Sequence, residues 1–467
     1  MTSVLNNGIE LGYLVAVSLF IVGLKRLGSP ATARKGNSLA AVGMLLAIAA
    51  TLLYQTPMNF PLILAGILVG SVIGIVMAQK VEMTAMPQMV GLLNGLGGGA
   101  STLVAAAEFE RLLRAGEVPT LSNLITILLS VLIGGVTLTG SLIAFAKLQG
   151  IIGGAPVVLP MQRLISLGLV ALFLGGSVLL IQDSTQQAIF LGVIGISLVL
   201  GVLFTNPIGG ADMPVVISLL NSFSGLAASA AGFVLMNNML IVAGALVGAS
   251  GIILTQIMCK AMNRSLTNVL FTAFNDAKKT TGGDGSEVGD RIVHPIDSEE
   301  AAMMLGYAQS VVIVPGYGMA VAQAQHTVRE LADQLGRLGV EVKYAIHPVA
   351  GRMPGHMNVL LAEANVPYPQ LYDMEDINPE FERVDVALVI GANDVVNPAA
   401  RSNAQSPIYG MPILEVDKAH HTIVIKRGMS AGFAGVENEL FYDDKTMMLF
   451  GNARDVLTDL VASVKQL

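Results

Sequence analysis

Charge is scarce in this 467-residue chain: Asp, Glu, Lys and Arg make up 13% of it, where a soluble protein carries about a quarter. A composition so poor in charge excludes an ordinary soluble globule. The net charge of −7 also leaves no basic face for nucleic acid. One cysteine, Cys259, excludes an intrachain disulfide framework and any multi-cysteine zinc or iron–sulfur centre. The first apolar segment has Glu10 before it and Lys25-Arg26 after it, so it lacks the basic start of a cleaved leader and reads as a retained span. Histidine is absent from the first 264 residues; all six lie later, at 294, 326, 347, 356, 420 and 421. No nucleophile stands beside a credible general base.

What is there is hydrophobic residue, 53% of the chain, unevenly distributed. Of 59 charged residues, 18 lie up to Arg264 and 41 in the remaining 203. Two physical classes are joined in one polypeptide. A span needs roughly 20 apolar residues, and nine segments meet that, near 4–24, 37–54, 60–79, 86–107, 121–146, 163–182, 187–205, 213–235 and 238–259. An odd number places the termini on opposite sides. With the C-terminus inside, the inner loops carry Lys25, Arg26, Arg34, Lys35, Lys80, Lys147, Arg163, Lys260 and Arg264. The outer loops carry only Arg111 and Arg114, so the positive-inside rule puts the C-terminal part in the cytoplasm.

Acids are few in this half, seven up to Arg264, among them Glu82 in an inner loop, Glu108 and Glu110 at an outer end, and Asp212 in Gly209-Gly210-Ala211-Asp212-Met213-Pro214. An ionised Asp at a helix centre costs about 2.5–3.5 kcal/mol on insertion scales, which confines these to interfaces. Asp212 faces the soluble half and is a candidate for coupling; the plainer reading is a cap on the next helix. Polar positions inside the spans form sets: Gly91, Asn94, Gly95 and Gly99; Thr137, Thr139 and Ser141; Asn221, Ser222 and Ser224; Gly244, Gly248, Ser250 and Gly251. Singly, each is interhelical glue. Together they could line a hydrated path, with Asn94, Ser141, Asp212 and Asn221 as its candidate proton-path and coupling residues.

Residues 265–290 read as a linker between a membrane domain at 1–264 and a soluble domain at 291–467; 272–290 are polar and Gly-rich. Beyond it, apolar strands alternate with helices: strand 310–314, helix 319–337, strand 340–346, helix 355–364, strand 384–390, a short helix near 398–402, strands 412–416 and 421–426, and helix 453–465. That alternation predicts a Rossmann-like, doubly wound parallel sheet. Val311–Val314 breaks at Pro315 into Gly316-Tyr317-Gly318, the strand–turn–helix start of a dinucleotide unit, although its third fingerprint position is Val321. Ligands of such sheets sit at the strand C-termini. There the chain places His347 to His356, Gly391-Ala392-Asn393-Asp394 and Lys426-Arg427-Gly428-Met429-Ser430. The acid expected for an NAD ribose is missing, because the second strand ends in Ile346-His347. Lys426 and Arg427 instead offer cationic donors suited to a 2′-phosphate, favouring NADP(H) over NAD(H).

Several long motifs in order resemble the beta subunit of proton-translocating NAD(P) transhydrogenase across nearly the whole chain. They are Pro315–Gln325, His347–Ala364, Gly391–Asp394 and Lys426-Arg427 in the soluble half, and Lys80–Thr84, Gly209–Pro214 and Met258–Ser265 in the membrane half. The resemblance implies an NADP(H) domain whose cofactor lies reversed relative to the usual dinucleotide fold. It also implies an alpha subunit that binds NAD(H) and adds membrane helices, and a dimer of such heteromers in a bacterial-type inner membrane. It implies cofactor loops at Val349-Ala350-Gly351-Arg352-Met353-Pro354, at Gly391-Ala392-Asn393-Asp394-Val395-Val396 and at Lys426-Arg427-Gly428-Met429-Ser430-Ala431-Gly432-Phe433. Tyr317, Gly410-Met411 and Asn452-Ala453 match cofactor-side positions as well.

Three departures stand out. Asn94 takes the place of a membrane histidine found in some relatives and cannot accept a proton. Gly428 stands for a Ser, and Phe433 for a Tyr in the lid loop. The implied reaction is hydride exchange between two nicotinamides, which needs ring proximity rather than acid–base groups. NADH and NADPH are nearly equal hydride donors, so a gradient supplies the drive: one charge crossing about 150 mV releases roughly 3–4 kcal/mol. The expected coupling runs from the 391–396 and 426–433 loops through Asp212 to Asn94, Ser141 and Asn221. The alternative is a nucleotide-gated transporter or channel; a third reading, a plain membrane-anchored NADP reductase, would not need nine spans with polar interiors.

Overall fold

The computed structural model describes residues 2–54, 59–82, 85–153, 157–209, 212–262, 265–271, 293–352, 355–404, 406, 408–432 and 434–467. The chain separates into two compact units, Met1–Thr255 and Gln256–Leu467. The Gly-rich stretch 272–290 lies outside the described residues, as do Met353, Pro354 and Phe433.

Nine helices long and apolar enough to cross a membrane occur among the described residues. They are α1 Thr2–Leu27, α2 Pro30–Tyr54, α3 Phe60–Lys80, α4 Met86–Arg114, α5 Leu121–Leu148, α6 Gln162–Gln182, α7 Gln187–Thr205, α8 Met213–Val234 and α9 Asn238–Ala261. They stand where nine spans were expected. Small residues set their spacing, since no hydrophobic drive brings helices together in lipid. A Cβ on Gly98 of α4 would lie 2.7 Å from the Gly134 carbonyl oxygen and 2.7 Å from Thr137 Cβ on α5. One on Gly135 would meet Ser197 Cβ of α7 at 2.9 Å, and one on Gly244 of α9 would meet Ser229 Cα of α8 at 2.9 Å. α5 packs against α4, α7 and α8 and is the central post of the bundle.

After the short helix α10 Leu266–Phe271, the second unit forms a seven-stranded, wholly parallel sheet. Its strands are β1 His294–Pro295, β2 Ser310–Pro315, β3 Glu341–Ile346, β4 Leu371–Asp373, β5 Val386–Ile390, β6 His421–Lys426 and β7 Thr446–Phe450, in the order β1-β7-β6-β5-β2-β3-β4. β2 and β5 are apolar at nearly every position because helices cover both faces. The helices are α11 Ser298–Gly306, α12 Tyr317–Val321, α13 Gln325–Arg337, α14 His356–Glu363, α15 Met374–Ile377, α16 Ala399–Ser402 and α17 Ala453–Val464.

Two expectations need correction. The helix expected over 319–337 is broken into α12 and α13, because Gln323 adopts φ +49° and ends the first turn. The strand expected at 412–416 is a buried crossing segment outside the sheet. Pro412 has no N–H to give a ladder, and the Asn378 side chain satisfies its neighbours, donating to Ile413 O at 2.9 Å and accepting from Glu415 N at 3.1 Å.

Candidate functional site

The strand order reverses between β2 and β5: the chain winds outward through β3 and β4, then returns to lay β5 against the other side of β2. Crevices for ligands form at such switch points. Here the two strand ends meet backbone to backbone. Gly316 N donates to Ile390 O and Gly318 N to Gly391 O, both at 2.9 Å. A Cβ on Gly316 would lie 2.5 Å from Ala392 Cα, and one on Gly318 would lie 2.6 Å from Gly391 Cα. Gly391 itself sits at φ +63°. Only glycine fits all three places, which explains the Gly-x-Gly turn independently of any ligand and still leaves bare backbone at the crevice.

On the β3 side, His347 occupies the strand end. Its buried ring bridges two segments: Nε2 lies 2.8 Å from Pro412 O, and Nδ1 accepts from Val349 N at 3.3 Å. That pairing requires the neutral tautomer with the proton on Nε2, and burial lowers its pKa to about 4. His347 thereby ties the Val349-Ala350-Gly351-Arg352 loop to the Gly410-Met411 turn, where Gly410 has φ +78° and Met411 packs with Ala399, Ala400, Ile408 and Ile413. Gly351, at φ +104°, brings Arg352 N within 3.1 Å of His356 Nδ1. The Arg352 guanidinium carbon stands 4.6 Å from the Tyr317 ring centroid, a cation–π contact that joins this loop to the glycine turn. Burial raises the Tyr317 pKa, with Arg352 opposing. Val321, in contrast, is 47% exposed on α12.

On the β6 side, Lys426 and Arg427 part company. Lys426 is half-buried: it donates to Ser430 O at 2.5 Å and lies 4.6 Å from the Phe441 ring centroid. With the Asn393 amide turned to satisfy its neighbours, the Asn393 oxygen accepts from Lys426 Nζ at 3.0 Å and Gly432 N at 2.7 Å. Burial lowers the Lys426 pKa, while the Asp394 carboxylate opposes that shift. Asp394 Oδ2 accepts from Ala434 N at 2.9 Å, so the Asn393-Asp394 pair holds the far end of the 426–432 loop. Val395 O accepts from Leu414 N, and Val396 is buried in the core. Arg427 and Ala431 are exposed, and Gly428 has open space where a side chain would go. Met429 packs partly against the core. Asn452 caps α17 through Arg454 N, with Ala453 buried behind it and Gly451 N bound to Lys426 O at 3.0 Å. Asn438 carried no sequence signal, yet it clamps Asn393 by donating to its carbonyl oxygen at 3.0 Å.

In the membrane unit, α4, α5 and α8 bring three of the four path residues to one crossing. Asn94 is buried and its Nδ2 donates to Ile217 O at 3.2 Å, one turn before Asn221. A Cβ on the adjoining Gly95 would touch Ser141 Cβ at 3.1 Å. Ser141 Oγ is fully buried with no hydrogen-bond partner among the described residues, and Thr205 Oγ1 is likewise. Asn221 is partly buried. Asp212 is 8% exposed at the start of α8, five residues before Ile217, and its carboxylate makes no capping bond. Three further hydroxyls of these spans are engaged in packing: Thr137 donates to Ile133 O, Thr139 to Leu198 O and Ser222 to Gly248 O.

Nine helices long and apolar enough to cross a membrane, among the described residues, joined to a wholly parallel sheet with a switch point, define a polytopic membrane protein with a Rossmann-like extension. The family model for the NAD(P) transhydrogenase beta subunit matches residues 9–463. Two sequences from Rhodospirillum rubrum, both described as NAD(P) transhydrogenase subunit beta, are each 50% identical over 457 residues, covering 97% of this chain and 98% of their own length. The chain belongs to the NAD(P) transhydrogenase beta subunit family. It is therefore a subunit of a transhydrogenase enzyme, a family that uses NAD(P)(H), and its designation as beta implies an alpha subunit partner.

Proposed function

We propose that this chain binds NADP(H) at the β2/β5 switch point and, with an alpha subunit holding NAD(H), couples hydride exchange to proton passage across a bacterial-type inner membrane. The observation that carries the nucleotide assignment is the strand-end chemistry. β3 ends in a neutral, fully engaged His347 where an NAD ribose would need an acceptor, while Arg427 stands exposed at the end of β6. The fit is good on other grounds: the Gly316-Gly318-Gly391 cradle leaves no Cβ in the way of a pyrophosphate, and Arg352 stacked on Tyr317 presents a cation beside it.

When bound, the nicotinamide supplies the hydride chemistry. This chain's own residues do the holding. The His347–Pro412 bridge, the Gly351 bend and the Gly410-Met411 turn fix one wall. Asn393, Asp394, Val395 and Val396 fix the other, and Lys426 folds the 426–432 loop back over Ser430. Met353, Pro354 and Phe433 complete the assignment as cofactor-side positions, alongside Asn452 and Ala453. With two of the three Lys426 donors engaged by Ser430 and Asn393, the 2′-phosphate role falls chiefly to Arg427. Changes at this edge are read by the loop ending in Asp212, which gates the crossing of Asn94, Ser141 and Asn221; the C-terminal unit lies in the cytoplasm. The domain limits follow as 1–264, 265–290 and 291–467.

Nucleotide titration of the assembled complex tests the site. NADPH is expected to bind this chain about 10- to 100-fold more tightly than NADH, the worth of charge-assisted hydrogen bonds of about 1.5–3 kcal/mol. Arg427→Gln should remove most of that preference and leave NADH binding unchanged. Equal affinities in the parent complex would refute the assignment.

A further inference from the structure

Lys147 lies in the last turn of α5, 5% exposed, at a bundle end where Gln88, Gln162, Thr205 and Asp212 are buried as well. Burying an ammonium there is costly unless its donors are used. Among the described residues Nζ donates to Asn206 O at 2.5 Å and to Ile208 O at 2.8 Å. Both acceptors follow the end of α7, whose last carbonyls lack intrahelical partners and whose dipole presents negative charge. They belong to the connection that reaches Asp212, because Asp212 N in turn donates to Gly209 O at 3.1 Å. Two further side chains tie the same bundle end. Gln162 of α6 donates to Leu203 O at 2.7 Å, and Gln88 of α4 donates to Leu148 O at 3.3 Å. Of these, only Lys147 grips the connection itself, and it does so from α5, the helix that bears Ser141 one and a half to two turns away.

We propose that Lys147 is a positioning residue for coupling: it makes the 206–209 connection and the end of α5 one mechanical unit, so that displacement at Asp212 reaches Ser141 and, through Gly95, the Asn94 crossing. This rests on the coupling role proposed above for Asp212. A flexible ammonium with three donors can keep hold of carbonyls as they shift, which an apolar side chain cannot do. A purely structural plug would be replaceable by any side chain of the same volume.

The test uses the complete complex of this chain and its alpha subunit in proteoliposomes, reading protons moved per hydride exchanged, turnover, and NADPH affinity on the same preparations. Lys147→Met is expected to lower proton-linked turnover at least tenfold while NADPH affinity stays within twofold. Lys147→Arg, which keeps charged donors, is expected to restore at least half of the parent turnover. If the Met variant fails to assemble, Lys147→Gln carries the same expectation for turnover and affinity. Coupled turnover within twofold of the parent in the Met or Gln variant would overturn the proposal, and so would an Arg variant as defective as Met. Asp212→Asn is run in parallel. If it leaves coupling intact, the underlying reading of Asp212 fails; if it is impaired while Lys147→Met is not, only the Lys147 proposal fails.

Discussion

His347 illustrates how one residue can shape a site without touching chemistry. Folded, it titrates near pH 4; unfolded, it takes its proton near pH 6.5. The unfolded chain therefore binds more protons in that window, and stability falls as pH drops through it, by about 3 kcal/mol at the acid end and roughly 2 kcal/mol between pH 6.5 and 5. Protonation also removes the acceptor for Val349 N, so the 347–352 loop is what loosens. Denaturant unfolding of the C-terminal unit in the whole subunit should show this slope, and His347→Gln should flatten it between pH 6.5 and 5, above the range where carboxylates titrate. An unchanged slope in that variant would assign the acid sensitivity elsewhere. The sequence places His347 at the right strand end, where phosphate contact or structural hydrogen bonding is expected, but hides its partner, because Pro412 lies 65 residues away in a segment read as a strand.

At the scale of elements, the glycine contacts between β2 and β5 decide the shape of the nucleotide edge. Gly391→Ala meets two penalties together, a left-handed φ of +63° and a Cβ 2.7 Å from Gly318 C. Backbone strain of this kind costs about 1–3 kcal/mol. The variant is expected to weaken NADPH binding at least tenfold in equilibrium titration, with the membrane helices unaffected; parent-like affinity would show that the contact has slack. Elements that follow period and length were legible: the nine spans, β2, β3, β5 and β6, and α17. Those missed are short or atypical. β4 has three residues and β1 two, while β7 is Thr-Met-Met-Leu-Phe, poor in the β-branched residues that mark a strand. The break between α12 and α13 had no sign in Ala322-Gln323-Ala324, all of them helix-tolerant residues.

For the whole molecule, charge distribution and motif order carried most of the reading. They located the membrane half, the soluble half and the strand ends before any geometry, while side-chain alliances such as Lys147 with Asn206 and Asn393 with Asn438 depend on tertiary contacts and stay invisible in sequence. In the proposed function the two units are parts of one machine, in which a gradient drives an exchange that has almost no drive of its own. Neither a plain reductase nor a nucleotide-gated channel would need both halves in that way. One measurement separates them: proteoliposomes holding this chain with its alpha subunit, supplied with NADPH and an oxidised NAD analogue, followed at once for hydride exchange and internal pH. Proton coupling predicts exchange accompanied by a pH change that disappears when the membrane is made leaky to protons. Exchange with no pH change, or nucleotide-dependent ion flux with no exchange, would contradict it.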